Sequence, residues 1–281
     1  MTLAELLRRP RYELIPIEGA EREAVENVPR HVKLTVTASP SRGIEGTLGL
    51  TERLVGHGFE VVPHLPARLV LDEVELERIV RRLDRLAVSE LFVVAGDARQ
   101  PAGQFAGAAA LLAALARLGH PFEQIGITGY PESHPIISDS ATIQAMFDKQ
   151  SQATYIVSQI AFDPDLIGAW VRRVRARGTV LPIYVGLPGA VDRRKLLRIS
   201  TRIGLGDSAR FLGTHSSWLR SLLLPRRYVP DDLILGLAEH VADPVAGIAG
   251  FHVFTFNDLG RTESWRRELL ERLGDRQSRD G

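Results

Sequence analysis

Residues 125–135, Ile125 to Pro135, read IGITGYPESHP. A β-branched run stops at Gly129 and gives way to Tyr130, Glu132 and His134, three polar side chains in a turn punctuated by Gly129 and Pro131. A parallel strand that ends in this way presents polar groups at the rim where α/β enzymes keep their sites. Taken alone, the segment is equally explained as a loop in which Glu132 and His134 are simply solvated. The rest of the chain favours the first reading, because several other strands end in the same manner.

Short β-branched runs recur at Tyr12 to Ile17, Val32 to Thr37, Phe59 to His64, Leu91 to Ala95, Tyr155 to Gln159, Leu181 to Val185 and Phe251 to Phe256, and Ile125 to Thr128 completes the set. Helical spacing lies between them. In Asp72 to Leu86, the residues Val74, Leu76, Ile79, Val80, Leu83 and Leu86 fall on one stripe. Phe105 to Ala116 reads as a buried, alanine-rich helix, about half the length a bilayer span requires. Alternating strand and helix with no linker predicts an α/β fold, a single (βα)8 TIM barrel over residues 1–281. Its core is expected at about 11–274, with a polar, flexible tail from Asp275 to Gly281. The interval Gly186 to Gly250 is too long for one helix and predicts extra helices before the last strand, broken at Pro225 and Pro230.

Composition narrows the function. An apolar fraction of 44% over 281 residues suffices for a large core. The 35 basic residues stand against 34 acidic ones, so no field exists to collect nucleic acid or an anionic membrane. The pairs Arg193, Arg194 and Arg226, Arg227 read as solvated helix faces rather than phosphate tracks. Cysteine is missing, which removes disulfides, thiolate metal sites and cysteine nucleophiles and makes a reducing cytoplasm the simplest location. Met1 to Pro10 carries Glu5, Arg8 and Arg9 and lacks the apolar core of a signal peptide. A homo-oligomer is compatible with the chain, which does not define its oligomeric state.

The barrel expectation places polar residues at the carboxy-terminal strand ends around one pocket. These are Glu13 on strand one, Thr37 after strand two, His64 on strand three, Asp97 after strand four, Tyr130 and His134 after strand five, Gln159 after strand six, and His252 and Asn257 bracketing strand eight. Tyr12 and Leu14 flank Glu13, so alternation turns its carboxylate inward and away from solvent. Desolvation disfavours the charge, raises the pKa and makes a proton donor near neutral pH. The bland alternative is a carboxylate paired with Arg11. Asp97 in VVAGDARQ sits where Gly96 lets the backbone turn and present it at the rim, and capping of the following helix is a bland role that can coexist with this one. His64, His134, Glu13 and Asp97 match metal ligands by type, but no His-x-His or His-x-x-x-His spacing places two imidazoles together, and no resident metal is expected. GLGDSA, with Gly204, Gly206 and Ala209, has the shape of a dinucleotide fingerprint. It follows the amphipathic RRKLLRISTRI rather than a strand, so it reads as a helix end.

Assembled in order, these elements resemble the methylenetetrahydrofolate reductase family from about Arg11 to Asn257. YELIPI around Glu13 resembles the family's F-E-F-F-P-P, and Val36–Thr37 its V-T turn. Pro63 to Leu65 matches P-H-L, and Ala95, Gly96 and Asp97 stand at R-G-D. Tyr130 to Pro135 keeps Y-P-E-x-H-P. Ser158 to Asp163 resembles T-Q-x-x-F-D, Ile183 to Pro188 resembles P-G-I-L-P, and His252 to Asn257 resembles H-F-Y-T-L-N. The resemblance implies a (βα)8 barrel that reduces 5,10-methylenetetrahydrofolate to the 5-methyl compound. Glu13 would protonate N10, while Asp97 and Gln159 would hydrogen-bond the pterin. Phe254 and Phe256, with His252 on the same strand, would line the folate site.

Two places in the chain depart from the flavoprotein members. Ala95 stands where the family has arginine, and MFDKQSQ at Met146 to Gln152 puts Phe147 and Asp148 where it has a basic pair. A diphosphate facing an acid there loses charge-assisted bonds worth about 1.5–3 kcal/mol each. Tight FAD binding is therefore not expected, and hydride is expected to come directly from NADH or NADPH in a ternary complex, with Thr37, His64, Tyr130 and His134 as nicotinamide contacts. An FAD-dependent or deazaflavin version of the reaction, a metal-dependent barrel hydrolase or lyase, and a non-catalytic relative are the alternatives. Asp258 stands where members often carry arginine for the folate glutamate tail, leaving Arg226, Arg227 or Arg261 as substitutes.

Overall fold

The structure, a computed structural model, describes residues 1–38, 42–131, 139–192 and 227–277. The β-branched runs form strands because one face of each is buried under helices and the other inside a closed barrel. The barrel strands are β1 (Arg11–Leu14), β2 (Lys33–Val36), β3 (Val61–Pro66), β4 (Glu90–Val94), β5 (Gln124–Gly129), β6 (Tyr155–Ser158) and β7 (Ile183–Pro188). Two short strands, β8 (Val191–Asp192) and β9 (Arg227–Tyr228), pair with each other antiparallel, and β10 (Ile248–Phe254) completes the barrel. Neighbours run β1-β10-β7-β6-β5-β4-β3-β2 and close through parallel pairing of β1 with β2. The (βα)8 expectation holds.

Helices α1 (Leu3–Arg8), α2 (Ala20–Asn27), α3 (Gly43–Gly56), α4 (Glu73–Arg85), α5 (Ala108–Leu118), α6 (Asp139–Lys149) and α7 (Pro164–Ala176) accompany the strands. Asp72 caps α4 by accepting from the Glu75 amide, and the stripe beneath it buries Leu76, Ile79, Val80 and Leu83. Val74 departs from the expected stripe: it lies in the first turn of α4 and is 64% exposed. The extra helices before the last strand are Asp231–Gly236, which begins after Pro230, and Ala238–Ala242. The β8–β9 ladder was not foreseen. Pro225, RRKLLRISTRI and GLGDSA lie outside the described residues. A final helix, Leu259–Gln277, continues past Asp275 where a tail was expected, and residues 278–281 lie outside the description. It grips the outer face of β1 through the Tyr12 hydroxyl, which donates to Glu263 at 3.0 Å.

Alternation sorts the barrel interior into layers. Inside, near the amino-terminal ends, glycines admit large rings: a Cβ on Gly126 would lie 2.3 Å from the Tyr155 ring, and one on Gly250 would lie 2.7 Å from Tyr184. Arg11 stacks between those rings, its guanidinium carbon 4.4 Å from the centre of Tyr155 and 3.8 Å from that of Tyr184. It pairs with Glu90, which also accepts from Lys33 at 2.5 Å.

Candidate active site

One layer nearer the carboxy-terminal mouth, β1 turns Glu13 inward beside His64 of β3 and His252 of β10. Glu13 Oε2 lies 3.1 Å from His252 Nε2 and 4.0 Å from His64 Nδ1. The Glu13 side chain keeps 14% of its surface exposed, and the imidazoles are buried. Aromatic edges hold the imidazole planes: Phe92 meets His64 at 4.6 Å between ring centres, and Phe254 meets His252 at 4.9 Å.

No cation reaches Glu13 among the described residues. The anticipated alternative, a pair with Arg11, is not what forms, because Arg11 is taken up by Glu90 one layer below. Burial therefore pushes the Glu13 carboxyl up to about 7, against a smaller opposing influence of His64. Burial pulls the imidazoles the other way. His64 falls to about 4, with Glu13 opposing and His252 assisting, and His252 falls to about 3, helped by the charge of Arg11. Between about pH 4 and pH 7 the proton of this cluster thus resides on the carboxyl, and both imidazoles are neutral.

The loop after β10 fixes the Glu13 backbone. Thr255 Oγ1 donates to the Glu13 carbonyl at 2.6 Å, while the Asn257 side chain both accepts from the Ile15 amide and donates to its carbonyl at 2.8 Å. Phe256 and Asn257 adopt φ of 51° and 61° to make this turn, a left-handed conformation that is costly for phenylalanine and is held by those bonds. Thr255 was not singled out from the sequence, and its only signal was its place within the HVFTFN segment.

The remaining expected residues spread around the mouth. Phe254 and Phe256 join Ile160 and Val191 in an apolar cluster against Phe162 and Tyr228, so the β8–β9 ladder adds a wall beside β6, β7 and β10. The Phe254 ring crosses close to Gly186, where a Cβ would lie 2.9 Å from it. Gln159 is half-buried, and its side-chain oxygen accepts from the Ile160 amide at 2.9 Å. Thr37 is half-buried with its amide on the Leu14 carbonyl, and Tyr130 is half-buried at the end of β5. Asp97 is exposed on the loop after β4, outside the Glu13 cluster, and does not cap α5, whose cap residue is Gly107. His134 lies outside the described residues.

Two sequence expectations need correction. Two imidazoles do come together, from β3 and β10, because barrel closure juxtaposes residues that no local spacing connects. The metal-type set among the described residues is accordingly Glu13, His64 and His252, without Asp97. Arg261 is already paired with Asp258 at 3.0 Å, so neither group stands alone at the expected glutamate-tail position. Arg226 lies outside the described residues.

Comparison with known proteins bears on this arrangement. A family profile described as methylenetetrahydrofolate reductase matches residues 17–201, a stretch that includes His64, Asp97 and Gln159 but stops short of Glu13 and β10. The chain is 28% identical over 162 residues to methylenetetrahydrofolate reductase 1 of Schizosaccharomyces pombe, a match covering 53% of this chain and 24% of that protein. The chain thus spans about a quarter of that curated relative. Among solved structures, oxaloacetate acetylhydrolase superposes with a TM-score of 0.52 at 12% identity, covering 98% of this chain and 86% of that one. A candidate phosphonomutase from Burkholderia cenocepacia J2315 gives 0.50 at 12% identity, covering 99% and 96%. At such identity these two establish the barrel alone. Among the described residues, no helix is long and apolar enough to cross a membrane.

Proposed function

The chain belongs to the methylenetetrahydrofolate reductase family, and from that premise we propose that it reduces 5,10-methylenetetrahydrofolate to 5-methyltetrahydrofolate, taking hydride directly from NADH or NADPH. The observation that carries the reading is a carboxyl at the barrel mouth, unpaired with any cation among the described residues and poised at about 7. A general acid works best when its pKa lies near the working pH.

Glu13 donates its proton to N10 of the folate as the bond from N10 to the bridging methylene breaks, which leaves an iminium at N5. Hydride from the reduced nicotinamide adds to the methylene carbon and forms the methyl group. The Glu13 carboxylate then regains a proton from solvent through its exposed edge. Asp97 and Gln159 orient the pterin and offset the iminium charge. Phe254, Phe256 and His252 line the folate side, and Thr37, His64, Tyr130 and His134 the nicotinamide side.

A flavin diphosphate does not fit the residues present. Ala95 offers no charge, and Asp148 is an exposed acid whose carboxylate accepts from Gln144 at 2.6 Å. No step is therefore routed through flavin. The test is to incubate purified protein with methylenetetrahydrofolate and NADH, without added flavin, and to follow nicotinamide absorbance. Turnover with intersecting steady-state lines supports the reading, whereas protein that purifies yellow with stoichiometric flavin would rule out the direct route. NADPH and reduced deazaflavin in parallel assays identify the preferred donor.

A further inference from the structure

Glu13, His64 and His252 form a donor set with a capacity beyond holding one proton. Their ligand atoms all lie within 4.8 Å of one another, with Glu13 Oε2 at 3.1 Å from His252 Nε2 and 4.0 Å from His64 Nδ1. Two imidazoles and a carboxylate are the ligand types zinc takes in open sites, at about 2.0–2.1 Å each, which sets tetrahedral donors roughly 3.3 Å apart. The two distances from Glu13 bracket that spacing, and the two imidazole nitrogens, within 4.8 Å of each other, need to approach by at most about 1.5 Å to close the site around an ion.

His64 supplies an independent indication. Its side chain is 4% exposed, its Nε2 has no partner, and its Nδ1 faces Glu13 beyond hydrogen-bond range. Its Nδ1 is thus turned toward Glu13 without bonding it, which leaves that nitrogen available to an ion placed between them, while Nε2 diverges to the other side of the ring. We propose that this cluster is an inhibitory site for a divalent transition-metal ion of the zinc class, which takes the place of the Glu13 proton. The proposal rests on Glu13 being the proton donor: a carboxylate engaged with the ion has no proton to give N10.

The surroundings favour reversible binding over a resident metal. Histidines that hold a permanent metal anchor their second nitrogen on a carboxylate or carbonyl. Neither His64 Nε2 nor His252 Nδ1 has such an anchor among the described residues. The exposed part of the Glu13 side chain gives an ion contact with solvent from which to enter and leave.

The test uses untagged full-length protein stripped with chelator. It is titrated with Co2+ while the visible d–d absorption is recorded, then back-titrated with Zn2+, and Zn2+ is added separately to the reductase assay. The expected result is one Co2+ per chain, displaced by Zn2+, with affinity lowered about tenfold or more in each of Glu13→Gln, His64→Gln and His252→Gln. Circular dichroism confirms that each variant is folded, and Zn2+ should abolish turnover over the range in which it displaces Co2+. The cobalt signal needs no turnover, so it is judged apart from the reductase reading. Metal binding without reductase activity from any hydride donor would remove the reductase reading and leave the site. Reductase activity with no cobalt signal, or with equal affinity in all three variants, would overturn the site. A metal retained through purification and required for activity would overturn its inhibitory role.

Discussion

Arg11 and Glu13 are two residues apart on one strand, both turned into the barrel, yet their environments oppose each other. In the lower layer every charge has a partner: Arg11 and Lys33 converge on Glu90, and Lys33 also meets Glu60 at 2.5 Å. Burial alone would raise the Glu90 carboxyl, but the two cations hold it below its usual range. In the upper layer Glu13 is likewise desolvated, and among the described residues the groups that face it are neutral imidazoles, so its pKa rises to about 7. The same strand thus carries a carboxylate-binding cation that never titrates in the working range and an acid that does. Compensation, not burial, separates a structural charge from a chemical one.

The largest effect comes from removing the upper acid. Glu13→Gln should lower kcat/KM for methylenetetrahydrofolate by about 10²–10⁴-fold with the fold retained, read from steady-state kinetics and circular dichroism. Unimpaired turnover would take Glu13 out of the mechanism. The wild-type rate should also fall as pH rises through about 7, because the active form is the protonated one.

Breaking the lower layer should act on stability instead. Arg11→Met leaves Glu90 buried with Lys33 as its remaining cation inside the barrel, and should cost about 3 kcal/mol in urea unfolding at pH 7. A variant as stable as wild type would show that the lower pair contributes little.

The two layers also differ in how stability responds to pH. Folded Glu13 holds its proton up to about 7, whereas the unfolded carboxyl releases it near 4.5. Wild-type stability from this group is therefore full below about 4.5, declines as pH rises toward 7 and stays low above it. Glu13→Gln should be more stable than wild type at pH 8 by up to about 3 kcal/mol, and close to it at pH 4.5. His64 and His252, with depressed values, act oppositely and lose their contribution as pH falls below about 6.5; His64 is coupled to Glu13, so the comparison at pH 8, where both imidazoles are neutral, isolates the acid.

The smallest effect lies on the rim. Asp258→Ala releases Arg261 from a half-exposed pair worth at most about 1 kcal/mol. It should lower KM for polyglutamylated folate up to about fivefold while leaving that for the monoglutamate unchanged.

The difference between the layers also marks how far the sequence could be read. All eight barrel strands stand out as β-branched runs because a parallel barrel buries both their faces, and the alternation of Tyr12, Glu13 and Leu14 alone turns the acid inward. What escapes local reading is pairing across the closed barrel. Arg11 and Glu90 are 79 residues apart, and Glu13 and His252 are 239 apart. Strand stagger, rather than sequence spacing, decides that Arg11 serves Glu90 and leaves Glu13 to the histidines. The β8–β9 ladder escaped for a different reason: two-residue strands carry no periodicity to detect.

The ionisation of Glu13 is the quantity on which this account turns. Infrared difference spectra of wild type against Glu13→Gln, recorded across pH, report its protonated carboxyl stretch directly. The account predicts a carboxylic-acid band belonging to Glu13 that disappears with a midpoint of about 7. A midpoint at the ordinary carboxylate value near 4.5 would contradict it.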